Sequence, residues 1–340
     1  MPLRHGEPAV APLPSPFPEG WYFVESRPVV TKAGLIQKTW MGENIVVWCD
    51  ESGRACVAEA ICPHLGSDLG PDAGGRVCEG RLVCPFHGFE FDATGQCVAT
   101  PYAPPPRSAR LRVFPTREIH GLIFAWWGID GREPQWSLPE DPPDQGDWSG
   151  LQIRTTRFAG HPQETTENSV DIAHLRYVHG YGSVSRVDPL AIDGACLTSR
   201  FDFTTVRRVA KVGRLTLKIS ANARIFGLGF SLVEIYEHTV GMDMRLWILA
   251  TPVDGTEIDL TQISQVREIR KPRRLIAGLG FLPTRWRAPA MNWFVASRQQ
   301  EDVEQDVVIW GRKEYLPRPR LNRADGEITA FRNYCSQFYP

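Results

Sequence analysis

Cys62 and His64 stand in the stretch CPHLGSDLG, and Cys84 and His87 in CPFHGFEFD. The pattern is Cys-x-His, nineteen residues, then Cys-x-x-His. Each stretch offers one thiolate and one imidazole. Such a set suits a 2Fe–2S cluster in which Cys62 and Cys84 hold one iron and His64 and His87 the other. Neutral imidazoles in place of two thiolates leave less negative charge on the cluster and raise its potential. Pro63 and Pro85 stiffen the loops, while Gly66, Gly70 and Gly88 let backbone approach the sulfides and donate hydrogen bonds. The same residue types can also hold a structural zinc. Zinc fingers, however, pair cysteines on one arm and histidines on the other, whereas each arm here is mixed. Cys78 and Cys97 read as buried small residues.

A cluster of this kind moves one electron at a time, so a second site should use the electrons. The stretch DIAHLRYVHG holds Asp171, His174 and His179. Two histidines and a carboxylate form the facial triad of non-haem Fe(II) oxygenases, which leaves coordination positions open for O2. Five residues on a regular helix turn the two imidazoles well apart, so the helix must distort or end between them. Gly180 suits such a stop. Asp171, three residues before His174, shares its face and can accept a hydrogen bond from the imidazole nitrogen turned away from a metal. Taken without the upstream pattern, this stretch reads as easily as two structural histidines. The carboxylate must come from elsewhere. The helical stretch SRQQEDVEQDVVIWGRK offers Glu301, Asp302, Glu304 and Asp306. Asp302 and Asp306 lie one turn apart on one face. Asp306 is followed at once by apolar residues and is placed inward; Asp302 is the alternative.

The elements around these residues differ between the two halves of the chain. From Trp21 to about Ile129, short apolar runs are broken by glycine and proline, as in a small all-β domain. Residues 131–150, polar and rich in proline and glycine, read as a linker. Beyond it come a helical stretch around 162–180, long alternating strands with a hairpin signal at Asp254-Gly255, and a helical stretch over 285–315. The fold class is α+β, an antiparallel sheet with segregated helices following an all-β domain. The expected organisation is a flexible arm over 1–18, a cluster domain over 19–130, the linker over 131–150 and a catalytic domain over 151–340.

With 42% hydrophobic and 23% charged residues, the 340-residue chain has an ordinary globular composition. Its net charge of −1 gives no electrostatic reason to expect nucleic acid. No apolar run is long enough for a membrane span. The proline-rich N-terminus lacks the apolar core of a secretory signal, so a reducing cytoplasm is expected and the eight cysteines suggest metal rather than disulfides.

Together, the paired motifs resemble the oxygenase component of Rieske non-haem iron oxygenases, over nearly the whole chain. NSVDIAHLRYVHG is similar to the family's Asp-x-x-His-x4-His signature. The resemblance implies a Rieske domain followed by a helix-grip (START-like) catalytic domain. It also implies a homotrimer in which one subunit's cluster feeds the next subunit's iron, with Asp171 bridging a cluster histidine of a neighbour to His174. The C-terminal stretch, with Asp306-x-x-Ile309-Trp310-x-x-Lys313, a later Asp325-Gly326 and Gln337-Phe338-Tyr339, resembles the steroid 9α-hydroxylase and cholesterol 7-desaturase branch. That match implies Asp306 as the iron carboxylate. The gap between His64 and Cys84 is slightly longer than in the family, which lengthens the loop around Gly74-Gly75.

The implied chemistry uses O2 and electrons from NAD(P)H, delivered by a separate ferredoxin or flavin reductase, since no nucleotide motif is present. The substrate is a hydrophobic, sterol- or steroid-like molecule, hydroxylated or desaturated in an apolar pocket. An aromatic-ring hydroxylase or O-demethylase is the rival within the enzyme class. Outside it stand an electron-transfer protein with an inert second domain and a lipid-binding module with a structural zinc. The stretch LIAGLGFLPTRWRAPAMNWFV, with Arg270, Lys271, Arg273, Arg274, Arg285 and Arg287, reads as helix packing, a cap, or a contact with a membrane surface.

Overall fold

The computed structural model describes residues 15–140, 147–209, 213–239, 241–270 and 279–340. Most of the expected arm, part of the expected linker, and Lys271, Arg273 and Arg274 lie outside them.

The N-terminal unit is built from β1 (Gly20–Ser26), α1 (Arg27–Ala33), β2 (Leu35–Trp40), β3 (Glu43–Cys49), β4 (Ala55–Glu59), β5 (Arg76–Cys78), β6 (Arg81–Val83), β7 (Glu90–Phe91), β8 (Cys97–Ala99), β9 (Thr116–Ile119) and β10 (Leu122–Trp127). They form three small antiparallel sheets, β1-β10-β9, β2-β3-β4 and β5-β6-β7-β8. The last is the cluster subdomain, and its core gathers Trp48, Leu69, Leu82, Phe89, Phe91 and Leu111. Cys97 is buried there, but Cys78 is exposed. Cys78 pairs with Arg81 across the tight β5–β6 turn, where Glu79 and Gly80 both have positive φ, so its side chain has no interior to enter.

The C-terminal unit holds β11 (Gln152–Ala159), α2 (Pro162–Glu167), α3 (Ile172–Tyr177), β12 (Gly182–Arg186), β13 (Ala191–Asp193), β14 (Cys196–Val209), β15 (Gly213–Phe226), β16 (Phe230–Glu237), β17 (Met242–Pro252), β18 (Glu257–Val266), α4 (Thr284–Trp310) and α5 (Gly326–Cys335). The strands make one eight-stranded antiparallel sheet, in the order β11-β18-β17-β16-β15-β14-β12 with β13 paired to β14. The β17–β18 hairpin turns at Asp254-Gly255, with Gly255 at φ +92° and the Asp254 carboxylate accepting from the Thr256 and Glu257 amides.

Both faces of the middle of β17, residues 246–250, meet apolar surroundings, which explains the unbroken apolar run there. On β17, Trp247 and Leu249 face the N-terminal unit and pack with Trp21, Phe124 and Trp126. Leu246, Ile248 and Ala250 face the other way, into a cavity beneath α4. The two units thus share a core. Trp136, within the expected linker, joins it, and its carbonyl accepts from Trp21 Nε1 at 3.0 Å. An interface this apolar holds the units in one arrangement.

α4 is seated by a buried polar clamp. Asn292 is fully buried, donates to the carbonyls of Gly150 and Ser264 (2.9 Å each) and accepts from the Ser264 hydroxyl at 2.7 Å. Apolar packing fixes a face, and this directional contact, with the bonds from Arg154 to Ser297 and from Gln300 to Thr156, fixes the position of α4 along the sheet. No helix among the described residues is long and apolar enough to cross a membrane.

Candidate metal centres

Two loops of equivalent shape carry the first set. The Cys62 amide donates to the Ser67 carbonyl and the Gly66 amide to the Cys62 carbonyl; the Cys84 amide donates to Phe89 and the Gly88 amide to Cys84. Each loop is therefore closed by the same i+4 and i+5 bonds. Gly66 and Gly88 sit at φ +76° and +67°, where a side chain is strained. The loops bring the His64 and His87 rings to 4.8 Å between centroids, with His64 stacked on Phe89.

Cys62 and Cys84 are both buried. Burial pushes the Cys62 thiol up to about 11, and the adjacent Cys84 adds to the rise. Two buried thiols this close ionise together only around a cation. His87 Nδ1 is buried with no hydrogen-bond partner. A buried nitrogen left unpaired is costly unless it is a ligand. The donor set and the orphaned nitrogen fit a 2Fe–2S cluster with two thiolates and two imidazoles.

The second set converges where α3, the turn after it and α4 meet. The expected helical stretch around 162–180 consists of two short helices, α2 and α3. Asp171 causes the restart: its carboxylate accepts from the Ala173 and His174 amides at 3.1 and 3.3 Å, an N-cap. α3 ends at Tyr177, and Gly180 at φ +67° reverses the chain, so the helix stops between the histidines as their spacing requires. The His174 and His179 rings then approach to 5.2 Å between centroids.

The nitrogen of His174 turned from the site meets the Asp171 backbone carbonyl, not its carboxylate. A carbonyl can only accept, so Nδ1 carries the hydrogen and Nε2 the lone pair. His179 is oriented likewise: Nδ1 lies 3.1 Å from Gln305 Oε1, and Nε2 lies 3.5 Å from Asp306 Oδ2. Ligand atoms of His174, His179 and Asp306 all lie within 4.8 Å of one another, so the three could hold one metal ion. Asp302 sits differently. It accepts from the Tyr181 hydroxyl at 2.7 Å, lies 4.0 Å from the far nitrogen of His179, and has a side chain 26% exposed against 9% for Asp306.

Burial lowers the pKa of His174, with the Asp171 carbonyl acting against it. Burial acts on His179 too, but the Asp306 and Gln305 hydrogen bonds and nearby carboxylates outweigh it and the pKa rises. Gln305 carries no motif signal; only its place one residue before Asp306, at the turn facing His179, could have pointed to it.

The cavity under α4 opens onto His174, His179 and Asp306, and its remaining wall is largely apolar, with Phe203, Val233 and Leu260 from the sheet.

Over residues 20–115 the chain matches the Rieske [2Fe-2S] domain, and over 125–339 the C-terminal domain of 3-ketosteroid 9alpha-hydroxylase. The chain belongs to the Rieske oxygenase family. It is 29% identical to cholesterol 7-desaturase nvd 1 of Ciona intestinalis, over 96% of this chain and 70% of that protein. With the oxygenase component of the 3-ketosteroid-9-alpha-monooxygenase of Rhodococcus rhodochrous it shares 26% identity, over 96% and 85%. The fold is that of dicamba monooxygenase bound to 3,6-dichlorosalicylic acid, with a TM-score of 0.70 and 20% identity over 94% and 96% of the chains. As a Rieske oxygenase the chain is an oxidoreductase that combines a 2Fe–2S cluster with a mononuclear iron.

Proposed function

We propose that the chain is the oxygenase component of a multi-component system that hydroxylates or desaturates a hydrophobic, sterol- or steroid-like substrate. The carrying observation is the convergence of His174, His179 and Asp306 on a cavity whose remaining wall is largely apolar. The relatives named above support the sterol class. When bound, the cluster and the iron supply one-electron transfer and the activation of O2. Hydroxylation consumes the substrate C–H, O2, two electrons and two protons, giving alcohol and water; desaturation gives an alkene and two waters. The electrons come from NAD(P)H through a separate ferredoxin or flavin reductase.

Cys62, Cys84, His64 and His87 hold the cluster, and His174, His179 and Asp306 hold the iron. Asp171 is a positioning residue with two tasks. Its carboxylate caps α3 and its carbonyl fixes the His174 tautomer. In a cytoplasmic homotrimer, Asp171 would also stand between His174 and a cluster histidine of the neighbouring subunit. The apolar wall excludes water and leaves substrate shape to set the position oxidised.

The test is turnover with a surrogate reductase on a steroid and an aromatic panel, followed by mass spectrometry. Oxidised sterols or steroids are expected. Product from the aromatic panel alone would make the chain a ring hydroxylase or O-demethylase. His174→Ala should keep the cluster's optical spectrum and lose product; retained product would place the oxidation elsewhere.

A further inference from the structure

Helix α4 has two sides of opposite character. Ala288, Asn292, Ala296, Val303 and Asp306 are buried. On the outward side Trp286 and Trp293, seven residues apart and so stacked along the helix, are 56% and 61% exposed. The turn before the helix adds Phe281, 86% exposed, and Leu282, and Phe294 flanks Trp293. Large exposed apolar side chains are normally scattered singly; here five fall between Phe281 and Phe294.

The charge of this segment has one sign. From Leu279 to Gln300 there are three arginines and no aspartate or glutamate. Arg298 is bound to Glu301. Arg285 is exposed, with its guanidinium 5.9 Å from the Trp286 ring centre. Arg287 donates to the backbone carbonyls of Ile269, Arg270, Gly280 and Leu282, which are neutral partners. Those bonds pin the Phe281–Leu282 turn to the helix, so the aromatic face is built before any partner arrives.

We propose that this face docks the protein on an anionic lipid bilayer. Indoles favour the boundary between headgroups and acyl chains, and arginines among them bind lipid phosphates. The opposite side of α4 supplies Gln299, Asp302, Val303 and Asp306 to the cavity. Docking therefore holds that cavity beside the phase in which a sterol-like substrate dissolves. That last consequence rests on the proposed substrate class; the docking itself does not.

The test uses the full chain, no substrate, and vesicles of phosphatidylcholine alone or mixed with phosphatidylglycerol. Co-sedimentation should be at least roughly tenfold stronger with the anionic vesicles and should weaken with salt. Trp286→Ser with Trp293→Ser should reduce it by at least roughly tenfold, and Arg285→Gln by roughly fivefold on anionic vesicles only. The cluster's optical spectrum reports that each variant is folded. Sedimentation velocity without vesicles should show an unchanged oligomeric state. Absence of wild-type binding, or full binding by the double tryptophan variant, overturns the proposal. So does a double variant that falls into smaller species, which would assign the face to a second copy of the chain.

Discussion

Nε2 of His179 lies 3.5 Å from Oδ2 of Asp306, although the two residues are 127 positions apart in sequence. The contact exists because α3 ends at Tyr177 and because Asn292 seats α4 on β18. The three-residue metal site depends on that meeting of a turn and a helix.

Asp306→Ala should lower iron content from roughly three per chain to roughly two, while Asp302→Ala leaves it near three. Asp302 is taken up by Tyr181, so its loss should cost order in that side chain and not the metal. Metal analysis of the two purified variants decides between the carboxylates; the reverse pattern would hand the role to Asp302.

Gln305 should matter through His179 alone. Gln305→Leu removes the acceptor on Nδ1 and should weaken Fe(II) binding by roughly 10–100-fold, and Gln305→Glu should restore it. Titration of metal-free protein with Fe(II) under anaerobic conditions gives the comparison. Equal affinity in all three proteins would show that the orientation of His179 is set elsewhere.

The cluster loops differ in their tolerance of a side chain. At Gly66 an added Cβ meets open space, so Gly66→Ala should cost about 1 kcal/mol from the positive φ alone. At Gly88 the same atom falls 2.8 Å from Pro101 Cγ, so Gly88→Ala should cost more and reduce cluster occupancy. Chemical denaturation and cluster absorbance read the two effects.

Asn292→Ala should destabilise the fold by about 2–4 kcal/mol, because the buried Ser264 loses the partner of its hydroxyl and of its carbonyl, and the Gly150 carbonyl loses a donor. Iron content should fall with it, since α4 carries Asp306. A stable variant with full iron would show that α4 is seated without the Asn292 bonds.

His161 sets an acid limit away from the metals. Its Nδ1 caps α2 by accepting from the Gln163 amide, and burial lowers its pKa, with the Ser15 carbonyl acting against this. The unfolded chain then takes a proton, near pH 6.5, that the folded chain refuses. Stability should fall as pH drops from that value toward the lowered folded one. His161→Asn keeps a capping group without the titration. Denaturation midpoints across this range should converge at the acid end if His161 is responsible, and run parallel if it is not.

Much of this site was legible in the sequence because ligand chemistry is local. Cysteine and histidine at fixed spacings imply loops that present them, and a five-residue interval between His174 and His179 implies a helix that distorts or stops. Alternation along β14 to β18 and the Asp254-Gly255 turn likewise follow from residue-by-residue preferences. Other features had no local signal. The split of one helical stretch into α2 and α3 came from Asp171 taking the cap position, a competition between side chain and backbone for the same amides. The burial of Asp306 over Asp302 required the register of α4, which Asn292 on that helix helps to set through its bonds to Ser264 and Gly150. Gln305 became part of the site only when the turn after α3 folded against α4. The sequence by itself determined which atoms could bind metal and in what order along the chain. Which carboxylate faces His179, and which nitrogen His179 offers, was decided by tertiary structure, because those depend on contacts between segments more than a hundred residues apart, whereas His174 is oriented locally by the Asp171 carbonyl.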